Sequence, residues 1–143
     1  LNSTYIFNTF LNFSLIDSKY ISSDEPGVEG KEVEFVPKYN IKYGIKFGYK
    51  NFTSYLQYSF LSSQFSDSSN SLESNLSGVI GQIPAYDILD LSMNYKFGKI
   101  KLETGVNNIL NNFYFTRRAT GYPGPGIIPS PPRNFYLTLQ YKF

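Results

Sequence analysis

Cysteine and histidine are both absent from the sequence. Their absence removes thiol nucleophiles, disulfides, the usual zinc sites and imidazole acid–base catalysis in one step. Most enzyme chemistries therefore have no carrier here. No carboxylate pair has the context of a hydrolase site and no acidic cluster resembles a calcium loop, so no catalytic residue, metal ligand or cofactor is expected. Tryptophan is missing too, and no stretch approaches the run of about 18 apolar residues that a membrane helix needs, which excludes a helical membrane protein. A formal net charge of +2, with lysines scattered among aromatics, argues against nucleic acid as a partner. The first residues, "LNSTYIFNTF", do not begin with Met and show no signal peptide, so the chain reads as processed or truncated.

What the sequence does contain is Tyr and Phe, 13 of each, and they are spaced by twos. In "KYNIKYGIKFGYK", residues 38–50, one parity carries Tyr39, Ile41, Tyr43, Ile45, Phe47 and Tyr49, and the other Asn40, Lys42, Gly44, Lys46 and Gly48. That is a strand with one apolar face. "FTSYLQYSF" follows. With Lys50-Asn51 as a two-residue turn, Tyr49 faces Phe52, Ile45 faces Leu56, Tyr43 faces Tyr58 and Ile41 faces Phe60 on one side of a sheet. The construction returns in "DLSMNYKFGKIKLETGV", where Gly98-Lys99 makes the turn and Ile100, Leu102, Thr104 and Val106 pair back on Phe97, Tyr95, Met93 and Leu91. A looser strand near residues 4–16, and a last one, "NFYLTLQYKF", bring the expected number to six.

Connection lengths alternate. Residues 18–37, 64–85 and 108–132 are long loops of roughly 20 to 25 residues, against the two-residue turns at 50–51 and 98–99 and the usual two to five for a hairpin. All long connections then lie at one end of the sheet. A soluble sandwich or lipocalin-like barrel would also alternate apolar and polar residues. Three features favour a membrane barrel instead. The strands reach the length of a tilted bilayer crossing. Tyr49, Phe52, Tyr95, Phe97, Tyr141 and Phe143 gather on the apolar face beside the tight turns, where an interfacial aromatic girdle belongs. Six such strands leave two open edges and no helix to cover the apolar face.

The stretch "GVNNILNNFYFTRRATGYPGPGIIPSPPRNFYLTLQYKF", residues 105–143, resembles the C-terminal end of TonB-dependent outer-membrane receptors. The shared elements are Gly105, Val106, Asn108, Ile109, Leu110, Asn111 and Tyr114, a Pro/Gly-rich loop, then Pro132, Arg133, Phe135 and the closing Phe143. "IPAYDILDLSMNYKF" and "FVPKYNIKYGIKFGY" resemble the preceding hairpins of the same barrels, and "YFTRRATGYPGPGI" looks most like the ferric-citrate (iron dicitrate) class. Asn111-Asn112 and Ile109-Leu110 depart from the commoner Asp-basic and Leu-Phe pairs. The resemblance implies an all-β fold, a transmembrane antiparallel β-barrel in the bacterial outer membrane, of which residues 1–143 are the C-terminal six strands of a 22-stranded whole, without the plug domain.

It also implies transport and no bond-making chemistry: a ferric chelate taken up with energy from the TonB–ExbB–ExbD complex acting through a plug. Haem, cobalamin, a nickel chelate or a glycan are alternative cargoes, and a passive porin or adhesin is an alternative class. The candidate ligand-binding residues are Arg117, Arg118 and Tyr122, because adjacent guanidinium groups offer planar bidentate donors to the carboxylates of a citrate-like chelate. Structural readings of the same arginines are lipopolysaccharide phosphates or a carboxylate of a neighbouring loop. Phe135, Leu137, Leu139, Tyr141 and Phe143 resemble the terminal signal read by the barrel-assembly machinery, and lipid and lipopolysaccharide are the implied surroundings. Pro and Gly residues from Gly121 to Pro132 stiffen the last loop. The Ser/Asn-rich middle loop reads as mobile. The first loop, with Asp24, Glu25, Glu29, Glu32 and Glu34 against Lys31, disfavours contact with an anionic chelate.

Overall fold

A computed structural model describes residues 5–122 and 124–143. The expected start of the first strand at residue 4, and Pro123 of the last loop, lie outside the described residues. Ten strands occur in it: β1 Tyr5–Leu15, β2 Tyr39–Tyr49, β3 Phe52–Leu61, β4 Gln64–Phe65, β5 Gln82–Ile83, β6 Tyr86–Phe97, β7 Ile100–Asn107, β8 Phe115–Ala119, β9 Gly126–Pro129 and β10 Asn134–Tyr141. Six of them form one antiparallel sheet in the order β1-β2-β3-β6-β7-β10, a meander.

Period-2 patterning accounts for the register. Tyr49 pairs with Phe52, Ile45 with Leu56, Tyr43 with Tyr58 and Ile41 with Phe60. Phe97 pairs with Ile100, Tyr95 with Leu102, Met93 with Thr104 and Leu91 with Val106. These are the partners that the alternation predicts around the turns at 50–51 and 98–99. Lys50 (φ 50°) and Gly98 (φ 59°), first in their turns, both take the positive φ that lets a two-residue loop follow the right-handed twist of the strands. The edge strands continue the pattern: Phe7 opposes Phe47, Leu11 opposes Tyr43, Phe135 opposes Val106 and Leu139 opposes Leu102. One apolar face therefore runs unbroken across all six strands.

Among the described residues nothing packs on that face. Phe7 is 69% exposed and Leu137 71%, and among the described residues the buried apolar side chains are Val28, Ile83 and Ala119, all in the long connections. The hydrophobic core thus sits in a cap of loops at one end of the sheet. A sheet that leaves its aromatic face open has its natural complement in lipid, where every backbone group must be paired within the wall.

The opposite face is polar but not uniformly so. Lys42, Lys46, Asp90, Lys96, Lys101 and Glu103 lie on it, with one ion pair among the described residues, Lys101 to Glu103 at 2.8 Å. Three aromatics fill it where small residues make room. Phe10 lies over Gly44 and stacks on Tyr55 at 6.1 Å, and Tyr136 lies over Gly105.

Candidate ligand-binding site in the loop cap

Two hairpins that the sequence pattern does not predict, β4–β5 and β8–β9, lie inside the middle and last loops. Short strands of two to five residues are too brief for alternation to be recognised. With them the three long connections become one body.

The middle loop, which its composition presents as a mobile segment, carries a network of hydrogen bonds from its own polar side chains. Asp67 accepts hydrogen bonds at Oδ1 from the Ser69 hydroxyl and from the Ser71 amide (3.2 Å) and hydroxyl (3.1 Å), and at Oδ2 from the Gly81 amide (3.3 Å). Burial opposes its charge, but the Ser69 hydroxyl and the other donors outweigh that and hold its pKa below the ordinary 3.8. Asn75 Oδ1 accepts from the amides of Val79 and Ile80, and the Ser66 hydroxyl donates to the Gly81 carbonyl. Ser, Asn and Asp are the residues that can satisfy a long loop's backbone locally.

The first loop docks on the middle one. The Glu32 amide donates to Asn70 Oδ1 and Asn70 Nδ2 donates to the Glu32 carbonyl, both at 2.8 Å; the Phe35 amide donates to the Phe65 carbonyl at 2.8 Å. Within the first loop the Tyr20 hydroxyl donates to Glu34 Oε2 at 2.5 Å. The hydrogen bond to Glu34 raises the tyrosine's pKa.

The last loop starts from an asparagine turn. Asn108, 2% exposed with φ 54°, takes Asp90 Oδ1 on its amide (2.8 Å) and exchanges side-chain bonds with the backbone of Asn112. Asn112 Nδ2 in turn donates to Asp87 Oδ1 at 2.9 Å, and Asn111 (φ 56°) accepts the Arg133 amide. Asn is among the few residues that hold such backbone angles at small cost. The Asn111-Asn112 pair is thus a turn that closes on the top of β6.

The structure separates the two arginines. On β8 neighbouring residues point to opposite sides, so Arg118 turns inward and is 7% exposed, while Arg117 is exposed. Arg118 Nη1 donates to Ser74 Oγ (3.0 Å) and the Gly78 carbonyl (2.9 Å), and Nη2 to the Gln82 carbonyl (2.9 Å), with its Cζ 5.1 Å from the Phe115 ring centre. Arg117 makes no ion pair among the described residues. It lines a cavity of about 710 Å³ together with Thr116, Thr120 and part of Arg118 itself from the last loop, Ser66, Asp67 and Ser68 of the middle loop, and Glu34 of the first. That size suits a small-molecule ligand. Tyr122 is fully exposed and lies outside the lining.

Glu34 and Asp67 are members of the cavity that sequence reasoning did not assign to it. Both carboxylates are already engaged, Glu34 by Tyr20 and Asp67 by four donors. The Arg117 guanidinium, with the Thr and Ser hydroxyls around it, is what the cavity has left to offer a ligand. Of the terminal residues, Phe135, Leu137, Leu139 and Tyr141 lie exposed on the apolar face of β10. Phe143 follows, its ring edge-on to Tyr141 at 5.2 Å, after the Lys142 amide has donated to the Lys99 carbonyl.

A β-meander with one apolar outer face, tight turns at one end and a knitted loop cap at the other defines part of a membrane-barrel wall. The chain belongs to the TonB dependent receptor-like, beta-barrel family, whose sequence model matches residues 1–109. Members of this family are outer-membrane transporters and not enzymes. Among solved structures, the ferric citrate transporter FecA in its unliganded form is similar over 96% of this chain and 21% of its own, with 27% identity and a TM-score of 0.86. The ferric yersiniabactin uptake receptor FyuA from Yersinia pestis (17% identity, TM-score 0.77, 96% of this chain and 21% of that one) shares the fold. So does the siderophore receptor PiuA from Acinetobacter baumannii (19%, 0.73, 96% and 20%). The chain spans about a fifth of the length of these structures.

Proposed function

We propose that residues 1–143 are the C-terminal barrel segment of a receptor that takes up a ferric chelate of the dicitrate class across the bacterial outer membrane. Uptake would be driven by the TonB–ExbB–ExbD complex. Three kinds of support converge: the family, the similarity at 27% identity to a ferric citrate transporter, and the cavity. The cavity carries the argument. It faces the loop end of the sheet, it is of ligand size, and the exposed Arg117 guanidinium in its lining makes no ion pair among the described residues and suits a carboxylate in planar bidentate fashion. The Thr116 and Thr120 hydroxyls would supply further donors to chelate oxygens, and Tyr122, outside the lining in this structure, would have to fold over a bound ligand to reach it. Phe135, Leu137, Leu139, Tyr141 and Phe143 are assigned to the barrel-assembly machinery. The open apolar face is assigned to lipid, and its loop end to lipopolysaccharide.

Titrating the detergent-purified full-length receptor with ferric dicitrate, with haem as control, and following tyrosine fluorescence tests this reading. Saturable quenching by ferric dicitrate alone is expected, and Arg117→Ala should weaken it by roughly tenfold to a hundredfold. That is the loss of one charge-assisted hydrogen-bonded pair, about 1.5–3 kcal/mol. Quenching by haem alone would assign the cavity to another solute. Unchanged affinity in the variant would remove Arg117 from the site.

A further inference from the structure

The two arginines that the sequence presents as a pair have different surroundings, and the difference assigns a role to the second. Arg118 makes no ion pair among the described residues. Its charge is met by two backbone carbonyls and a hydroxyl from three separate points of the middle loop, Ser74, Gly78 and Gln82, while its own strand belongs to the last loop. Its Nε is buried without a partner, so the guanidinium is held by geometry rather than by an ion pair, at some cost. A second contact joins the same two loops independently. Gly78 (φ 70°) packs on Gly126 (φ 129°) so closely that a Cβ on Gly78 would lie 3.3 Å from the Gly126 Cα, and one on Gly126 would lie 3.3 Å from the Ser77 carbonyl oxygen. Next to them Ile83, fully buried, and Ala119, 4% exposed, supply the apolar part of the contact.

This seam forms part of the cavity wall, since Arg118 lies in the lining beside Arg117 with both of its terminal nitrogens already bonded to the middle loop. Asp67 in its lining binds the Gly81 amide; the next residue, Gln82, accepts from Arg118; and Arg118 is the neighbour of Arg117 on β8. One wall of the cavity is therefore tied to the other through a continuous line of hydrogen bonds.

We infer that Arg118 is a positioning residue that fastens the middle loop to the last loop and thereby holds Arg117 at the cavity, rather than a contact to the ligand. The inference rests on the reading of Arg117 as the ligand contact, but the fastening itself can be measured without any ligand. A lysine keeps the charge and cannot reach three acceptors with a planar fork, so a role based on charge alone predicts that Arg118→Lys is silent. Fastening predicts faster amide exchange in residues 72–82 of the full-length receptor, with heat-modifiable migration of the folded barrel unchanged. It also predicts a chelate affinity lowered by about tenfold.

A cycle with Arg117→Ala separates positioning from general loosening. If Arg118 acts through Arg117, Arg118→Lys costs less than about twofold once Arg117 is alanine. Exchange in 72–82 that stays at the wild-type rate, or losses that multiply in full across the cycle, would overturn the inference. Should the receptor bind no ferric dicitrate at all, the dicitrate reading fails, whereas faster exchange in Arg118→Lys still supports the seam.

Discussion

Gly105 lies in β7 three residues before the asparagine turn into the last loop, and its substitution tests how tightly the barrel wall is packed at that point. An ideal Cβ there would lie 2.5 Å from the Leu91 carbonyl oxygen, 2.6 Å from Tyr136 Cε1 and 2.7 Å from Tyr136 Cζ. The ring could swing aside. The carbonyl cannot, because it belongs to β6, whose Leu91 is paired with Val106 beside the glycine. Gly44 gives the matched control. Its Cβ would come still closer to something, 2.2 Å from Phe10 Cε1, but its three nearest neighbours are all far ends of side chains, two ring atoms of Phe10 and the Tyr55 hydroxyl. Rotating such a ring costs about 1 kcal/mol, whereas displacing packed backbone costs about 1–3 kcal/mol.

Gly105→Ala should therefore destabilise the full-length barrel more than Gly44→Ala, although the second has the shorter contact. Urea unfolding in lipid vesicles, followed by tyrosine fluorescence, reads the order. Adding Tyr136→Ala to Gly105→Ala should restore only part of the loss, since the carbonyl contact stays. The reasoning is refuted if Gly44→Ala proves equal or worse, or if removing the Tyr136 ring restores stability completely.

Acid should unfasten the middle loop. Because the pKa of Asp67 is depressed in the folded state, its contribution is present in full above the ordinary 3.8 and is lost as pH falls through the folded value. Protection of the Gly81 amide, corrected for its intrinsic exchange rate, should hold at pH 5, drop below about 3.8, and be low at both pH values in Asp67→Asn. Deleting Phe143 should lower the yield of outer-membrane-inserted full-length receptor with transcript unchanged. Normal yield would leave that ring as an interfacial aromatic only.

Much of the wall was legible because its rules are local. The parity of Tyr39 to Tyr49 and the two-residue turns at Lys50-Asn51 and Gly98-Lys99 prescribe a register for two hairpins that the structure reproduces pair by pair. The terminal family resemblance pointed to the same barrel. Less was legible in the cap. The hairpins β4–β5 and β8–β9 are too short to show a period, and the Ser/Asn content of residues 62–82 suits a solvated coil as well as the closed network that forms around Asp67.

Alternation by twos, tight turns and the absence of any covering helix were enough to determine, from residue order alone, a sheet with one apolar face and long loops at one end. Within β2–β3 and β6–β7 the strands meet through two-residue turns, so that pairing depends on residues close in sequence. The site was decided by the tertiary structure. Arg118 meets Ser74, Gly78 and Gln82 at separations of 44, 40 and 36 residues, and Asn70 meets Glu32 at 38. Nothing periodic links such positions. Only when the loops close on one another does Arg118 meet its acceptors in the middle loop, while Arg117 beside it is left exposed at the cavity.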